Sequence, residues 1–160
     1  MEKKDRELVL SRIFDAPREL VFEMYSKCEH IKHWWGPGDW PVTYCNMDFR
    51  VNGNWYYCMS GPDGQESWGK GIYQEIVRPE KLVWQDYFTD KDGNVNEKMP
   101  GMLHIVELTH ENGKTIMKSH THFSNPEQMK QILDMGVVEG MTMVFDQLEA
   151  YLVEITGSRN

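Results

Sequence analysis

Cysteine is scarce in this chain: Cys28, Cys45 and Cys58 are an odd number with no CxxC pair among 160 residues. Neither a disulfide framework nor a thiolate zinc site is expected, and the three read as small buried apolar residues. Long apolar runs are missing as well. No stretch approaches the roughly eighteen apolar residues of a membrane span. The start, MEKKDRELVLSRIF, mixes charges of both signs and then alternates, so it lacks the apolar region of a signal peptide and a cytoplasmic location is expected. Bases are outnumbered, 17 Lys and Arg against 25 acids, with no basic stripe to offset a net charge of −8, which excludes a nucleic-acid partner. Repeats and low-complexity segments are absent.

What remains is one domain, residues 1–160, long enough to bury roughly two-thirds of its unfolded surface. Glu7 to Phe14 alternates as a strand, and Asp15-Ala16-Pro17 supplies a helix start, with Asp15 as the expected cap. Leu20, Val21, Met24 and Tyr25 are at helical spacing to about Lys27, and a second short helical segment runs from about His30 to Trp35, ending against Gly36-Pro37. From there to Phe123 the signals are those of strands and turns. Expected strands are Thr43 to Arg50, Trp55 to Ser60, Glu66 to Val77, Lys81 to Thr89, Met102 to His110 and Lys114 to Phe123. The turns between them are short, so neighbours pair antiparallel, and the count is seven strands. Asn125 and Pro126 open a long helix whose apolar stripe, Met129, Leu133, Val137, Met141, Val144, Leu148 and Tyr151, must be buried against the sheet. The order is β-α-α-β6-α, an α+β architecture that often leaves a cavity between helix and concave sheet.

That order, together with Asp15-Ala16-Pro17, His33-Trp34-Trp35-Gly36-Pro37, Gly61-Pro62-Asp63-Gly64 and the terminal Phe145-Asp146-Gln147-Leu148-Glu149-Ala150-Tyr151-Leu152, resembles the START-like (SRPBCC) superfamily over about residues 8–153. Within it the chain is most similar to proteins like the C-terminal domain of the activator of the ninety-kilodalton heat-shock protein ATPase. The resemblance implies a helix-grip (Bet v 1-like) fold, a curved antiparallel sheet wrapped around a long C-terminal helix. It also implies an internal pocket for an apolar or amphipathic small molecule, and it implies no reaction. Relatives often carry tryptophan after the glycine where this chain has Gly140-Met141, so its pocket is expected to differ in shape. Chaperone activation is not expected, because the eukaryotic activators add a separate N-terminal domain for which 160 residues leave no room.

Six tryptophans and eleven methionines make large, deformable apolar walls, which suit a flat ligand or an equally apolar solid core. The side chains expected to line a pocket are Trp34, Trp35, Trp55, Tyr57, Trp68, Tyr73, Trp84, His104, Met117, Met141 and Phe145. In HWWGPGDWP, residues 33–41, Trp34 or Trp35 is expected to turn inward as a lid, with Trp40 at the rim or in an interface. Gly136 and Gly140 each cost up to about 1 kcal/mol in a helix interior, which leaves close approach, a kink or room at a ligand's end as their purpose.

Three functional readings follow. The first is a non-enzymatic module holding an apolar small molecule, without cofactor. The second is an enzyme of cyclase, dehydratase or hydrolase kind using His104, Glu75, Asp86 or Tyr57 as acid or base, and a buried His or carboxylate pair at the pocket would favour it. The third is an interaction protein using the acidic helix, where six acids meet one base between Asn125 and Ile155, or the aromatic loop; exposed aromatics also make a homodimer a reasonable expectation. A three-nitrogen metal site from His120, His122 and either His104 or His110 is geometrically conceivable. The plainer pattern puts Ile116, Lys118, His120 and His122 outward and Met117, Ser119, Thr121 and Phe123 inward, and no metal is expected.

Overall fold

The computed structural model describes residues 2–4, 6–99 and 101–157. Its strands are β1 (Glu2–Lys4), β2 (Glu7–Phe14), β3 (Val42–Met47), β4 (Asn54–Ser60), β5 (Glu66–Val77), β6 (Lys81–Thr89), β7 (Met102–Glu111) and β8 (Lys114–His122). They form one antiparallel sheet in the order β1-β2-β8-β7-β6-β5-β4-β3. The seven expected strands are all present, and β1 adds a three-residue edge. Between β2 and β3 stand two helices, α1 (Arg18–Ser26) and α2 (Cys28–Ile31), and after β8 come α3 (Pro126–Asp134) and α4 (Val137–Gly157).

Alternation decides the faces. On β8, Met117, Ser119 and Thr121 are buried, with Phe123 just beyond, whereas Lys118 is exposed and His120 and His122 are half-exposed, as the two-residue period of a strand requires. The concave face carries an aromatic core built on Trp34, Trp55, Tyr73, Trp84, Phe14 and Phe22, into which α4 inserts Val144, Phe145, Leu148 and Leu152. A second, smaller cluster of Leu8, Met102, Phe123, Met129 and Ile132 lies under α3.

Four details depart from the sequence expectation. Asp15 does not cap α1: the N-cap is Pro17, with no side-chain hydrogen bond, because the helix starts two residues further on. At the C-terminal end, by contrast, the Asn125 side chain accepts from the Gln128 N–H at 2.7 Å. The second helical segment is shifted, with α2 ending at Ile31; Trp34 and Trp35 then follow in a turn held by hydrogen bonds to the Ile31 carbonyl. The expected single long helix is two helices. Gly136 has φ +88°, a left-handed conformation that glycine adopts at no steric cost, so the chain leaves α3 there and restarts as α4. Finally, Cys28 and Cys45 form a disulfide between the start of α2 and β3, Cα atoms 5.8 Å apart, while Cys58 is free and buried. The count of cysteines was a poor guide because the pairing depends on where α2 docks.

Candidate functional site

A cavity of about 320 Å³ lies between the two core clusters, beneath the break at Gly136. Helix α4 and the break provide one wall through Val137, Gly140, Met141 and Val144, with Ile132 and Met135 beside them. The loop after α2 contributes Trp35 and Pro37, and the sheet contributes Tyr57, Met59, Asp86, Phe88, Met102 and His104. A Cβ placed on Gly140 would meet no atom within 4 Å. Here the glycine leaves open space rather than allowing close packing.

Among these mostly apolar walls runs one line of polar side chains contributed by four strands. Tyr57 of β4 donates its hydroxyl to both carboxylate oxygens of Asp86 on β6, at 3.2 and 3.3 Å. His104 of β7 brings Nε2 to 3.5 Å from Asp86 Oδ2 and Nδ1 to 3.3 Å from the Thr121 hydroxyl on β8. Its ring stacks on Trp84, the residue opposite it in the ladder. All four polar residues are more than nine-tenths buried.

The strand between Tyr57 and Asp86 makes their contact possible. Tyr57 pairs with Gly69 on β5, and a Cβ at that glycine would stand 2.5 Å from Tyr57 Cζ. With no side chain there, the phenol ring crosses β5 and reaches β6. Gly71, two residues on, leaves equivalent room for Trp84 and Trp55. The strand glycines of Gly69-Lys70-Gly71 are thus the floor on which the aromatic rings lie.

Burial above all, then the Asp86 charge and its hydrogen bond, hold the Tyr57 phenol well above its ordinary pKa, against a smaller opposing hydrogen bond from Trp35. It therefore stays a protonated donor. Burial also raises the phenols of Tyr25 and Tyr73. Folded-state values above the unfolded value mean stability that is complete below pH about 10 and lost as pH rises further, by about 1.4 kcal/mol per pH unit for each phenol that must ionise to unfold. Steep alkaline unfolding above pH about 10, with delayed tyrosinate absorbance at 295 nm, is the expected titration. A flat stability profile across that range would contradict it.

The loop 33–41 is fastened to α4 by Gln147, which the sequence reading did not single out, and by Tyr151, which it placed in the apolar stripe. Gln147 donates to the carbonyls of Trp34 and Gly36 at 3.0 and 2.8 Å and accepts from the Gly38 N–H at 2.9 Å. Tyr151 hydrogen-bonds His30 at 2.8 Å and stacks on His33. Both residues belong to the Phe145–Leu152 stretch quoted for the resemblance, so a polar side chain on the helix's sheet-facing stripe was the available signal. Trp40 lies against Gly61 of the β4–β5 hairpin.

Of the eleven residues expected around a pocket, Trp35, Tyr57, His104 and Met141 line this cavity. Trp34, Trp55, Tyr73, Trp84, Met117 and Phe145 sit in the aromatic core beside it. Trp68 is on the opposite face of the sheet, against Tyr44 and Tyr56, because it pairs with Cys58 rather than with an inward residue. Asp86, outside that set of eleven but weighed as a catalytic acid or base, is at the cavity; Glu75 is exposed and paired with Lys81 at 3.5 Å.

His104 faces inward opposite Thr121, whereas His120 and His122 point outward to Glu107 and Glu7, each at 2.7 Å. A shared three-histidine site does not form, and no cluster of three or more His, Cys, Asp or Glu suited to a metal occurs among the described residues. Part of the acidic helix face is neutralised from the sheet: Arg12 of β2 pairs with Asp146 at 2.7 Å and Glu149 at 3.2 Å.

A curved antiparallel sheet gripping a C-terminal helix, with a cavity between them, defines a helix-grip protein. The chain belongs to the family described as Activator of Hsp90 ATPase homolog 1-like protein, which matches residues 15–153. Similar solved structures include a protein from Arthrobacter aurescens, with TM-score 0.90 and 30% identity over 96% of this chain and 90% of that one. Another from Mycobacterium smegmatis gives TM-score 0.85 and 29% identity, over 92% and 91% of the two chains. A third, from Staphylococcus epidermidis, gives 0.83 and 31%, over 92% and 90%. No curated protein matches the sequence. No described helix is long and apolar enough to cross a membrane.

Proposed function

We propose that this protein binds a small apolar molecule carrying one polar group, with the apolar body against α4, Trp35 and Met59 and the polar group at Asp86. The observation that carries this reading is the cavity of about 320 Å³ in which a buried Tyr57–Asp86–His104 line is set among apolar walls. A core selected only for stability would not contain a carboxylate there, because burying a charge costs far more than filling the space with a methyl group returns. The helix-grip family is one whose members commonly hold ligands, which supports the same reading. Its cytoplasmic, cofactor-free form is the one the sequence favours.

The test is to fill the site from the side that has room. Gly140→Leu places its side chain in open space on the cavity wall. It is expected to raise thermal stability or leave it within about 1 kcal/mol, since glycine in a helix interior is poor by that amount. It should also abolish retention of whatever small molecule co-purifies with the unaltered protein, read by native mass spectrometry. Equal ligand retention by Gly140→Leu, or several preparations of the unaltered chain with nothing bound, would sink the proposal.

A second reading draws on one specific feature. A buried carboxylate beside an imidazole, with a phenol donor on the same carboxylate, is the equipment of general acid–base catalysis. In that reading His104 exchanges a proton with the ligand while Asp86 orients the ring. Turnover of a bound molecule that disappears in His104→Gln, with binding retained, would establish it.

A further inference from the structure

The charges around the cavity select among ligands. Among the described residues no lysine or arginine lines it; the ionisable groups there are Asp86, His104 and the phenol of Tyr57. Resting on the binding proposal above, we infer that the polar group of the ligand is a protonated amine, so that the protein takes hydrophobic amines in preference to alcohols and rejects carboxylic acids of the same body.

The hydrogen-bond capacity of Asp86 carries the argument. A carboxylate offers about four acceptor positions. Asp86 receives one shared hydrogen bond from Tyr57, at 3.2 and 3.3 Å, and one longer approach from His104 at 3.5 Å. Acceptor capacity is left over on a group that is 8% exposed. An ammonium supplies three donors and a positive charge to that position.

The surroundings agree. His104 has both ring nitrogens engaged within the line, Nδ1 with the Thr121 hydroxyl at 3.3 Å and Nε2 toward Asp86 at 3.5 Å. Trp35, Tyr57 and Phe88 present aromatic rings at the cavity, and such rings attract cations to their faces. A carboxylate ligand would set two anions against each other where water screens them poorly. At about 30 Å³ for each water-sized group, the cavity takes on the order of ten non-hydrogen atoms.

The experiment is isothermal titration near neutral pH with three probes sharing one body: phenylbutylamine, phenylbutanol and phenylbutanoate. The amine is expected to bind at least about tenfold more tightly than the alcohol, with the acid weakest. Asp86→Asn should bring amine affinity down to that of the alcohol. Tyr57→Phe, which frees the carboxylate from its hydrogen bond, should widen the preference, and it keeps the test alive if Asp86→Asn fails to fold. Acid binding as tightly as the amine, or an amine no better than the alcohol, would overturn the inference while leaving a small-molecule site standing. If none of the three binds while the protein is folded, the binding reading fails and this inference with it.

Discussion

A Trp34→Ala chain is expected to lose about 3–5 kcal/mol of stability, the range for removing a large aromatic from a packed interior. Trp34 is 1% exposed, its indole N–H donates to the Met24 carbonyl at 3.3 Å, and Tyr25 and Trp35 meet its ring edge to face. Every side of the ring is occupied, so truncation leaves a void that the surroundings cannot close. Trp35→Ala should cost less, because part of that ring already borders open space, and it should enlarge the cavity. Urea denaturation of both variants measures the difference. Equal losses, or a larger one for Trp35, would mean that the two tryptophans share one role. Both tryptophans expected as candidate lids turn inward, with different surroundings: Trp35 borders the cavity and Trp34 is packed in the core beside it.

Reduction of the Cys28–Cys45 bond is expected to lower stability by about 3 kcal/mol. The bond closes a loop with a sequence separation of 17, and that is the chain-entropy gain for a loop of this length. For a domain of this size the melting temperature should fall by about 6–12 °C in reductant. A Cys28→Ser, Cys45→Ser double variant should melt at the reduced protein's temperature and ignore reductant. Melting that is indifferent to reductant in the unaltered chain would show that the bond contributes nothing to holding the fold. The loop closed by this bond contains Trp34 and Trp35, so the reduced protein is also the place to look for weaker ligand retention.

Much of the architecture was legible from local rules. The bounds of β2, β5 and β6 coincide with the expected strands, because alternation and short turns act within a few residues. The inward and outward faces of β8 followed from the same period. The break of the C-terminal helix was harder to read. Two glycines stood in the apolar stripe, and nothing local says which takes a positive φ; Gly136 does, and Gly140 remains helical at the cavity. The disulfide was invisible for a different reason. Cys28 and Cys45 belong to elements whose contact is set by how α2 docks on β3.

The amino-acid sequence by itself determined the β-α-α-β6-α order of the elements and the aromatic and methionine content available to the interior. These are consequences of periodicity, turn chemistry and composition. Tertiary structure alone decided which aromatic side chains fill the core and which border open space, and it alone assembled Tyr57, Asp86, His104 and Thr121 into one line. Those four lie on separate strands spanning 57 to 121, and their meeting depends on sheet register and on a glycine at position 69 that lets one ring cross a strand. Register is fixed by the packing of the whole face at once, so no single stretch of the chain carries it.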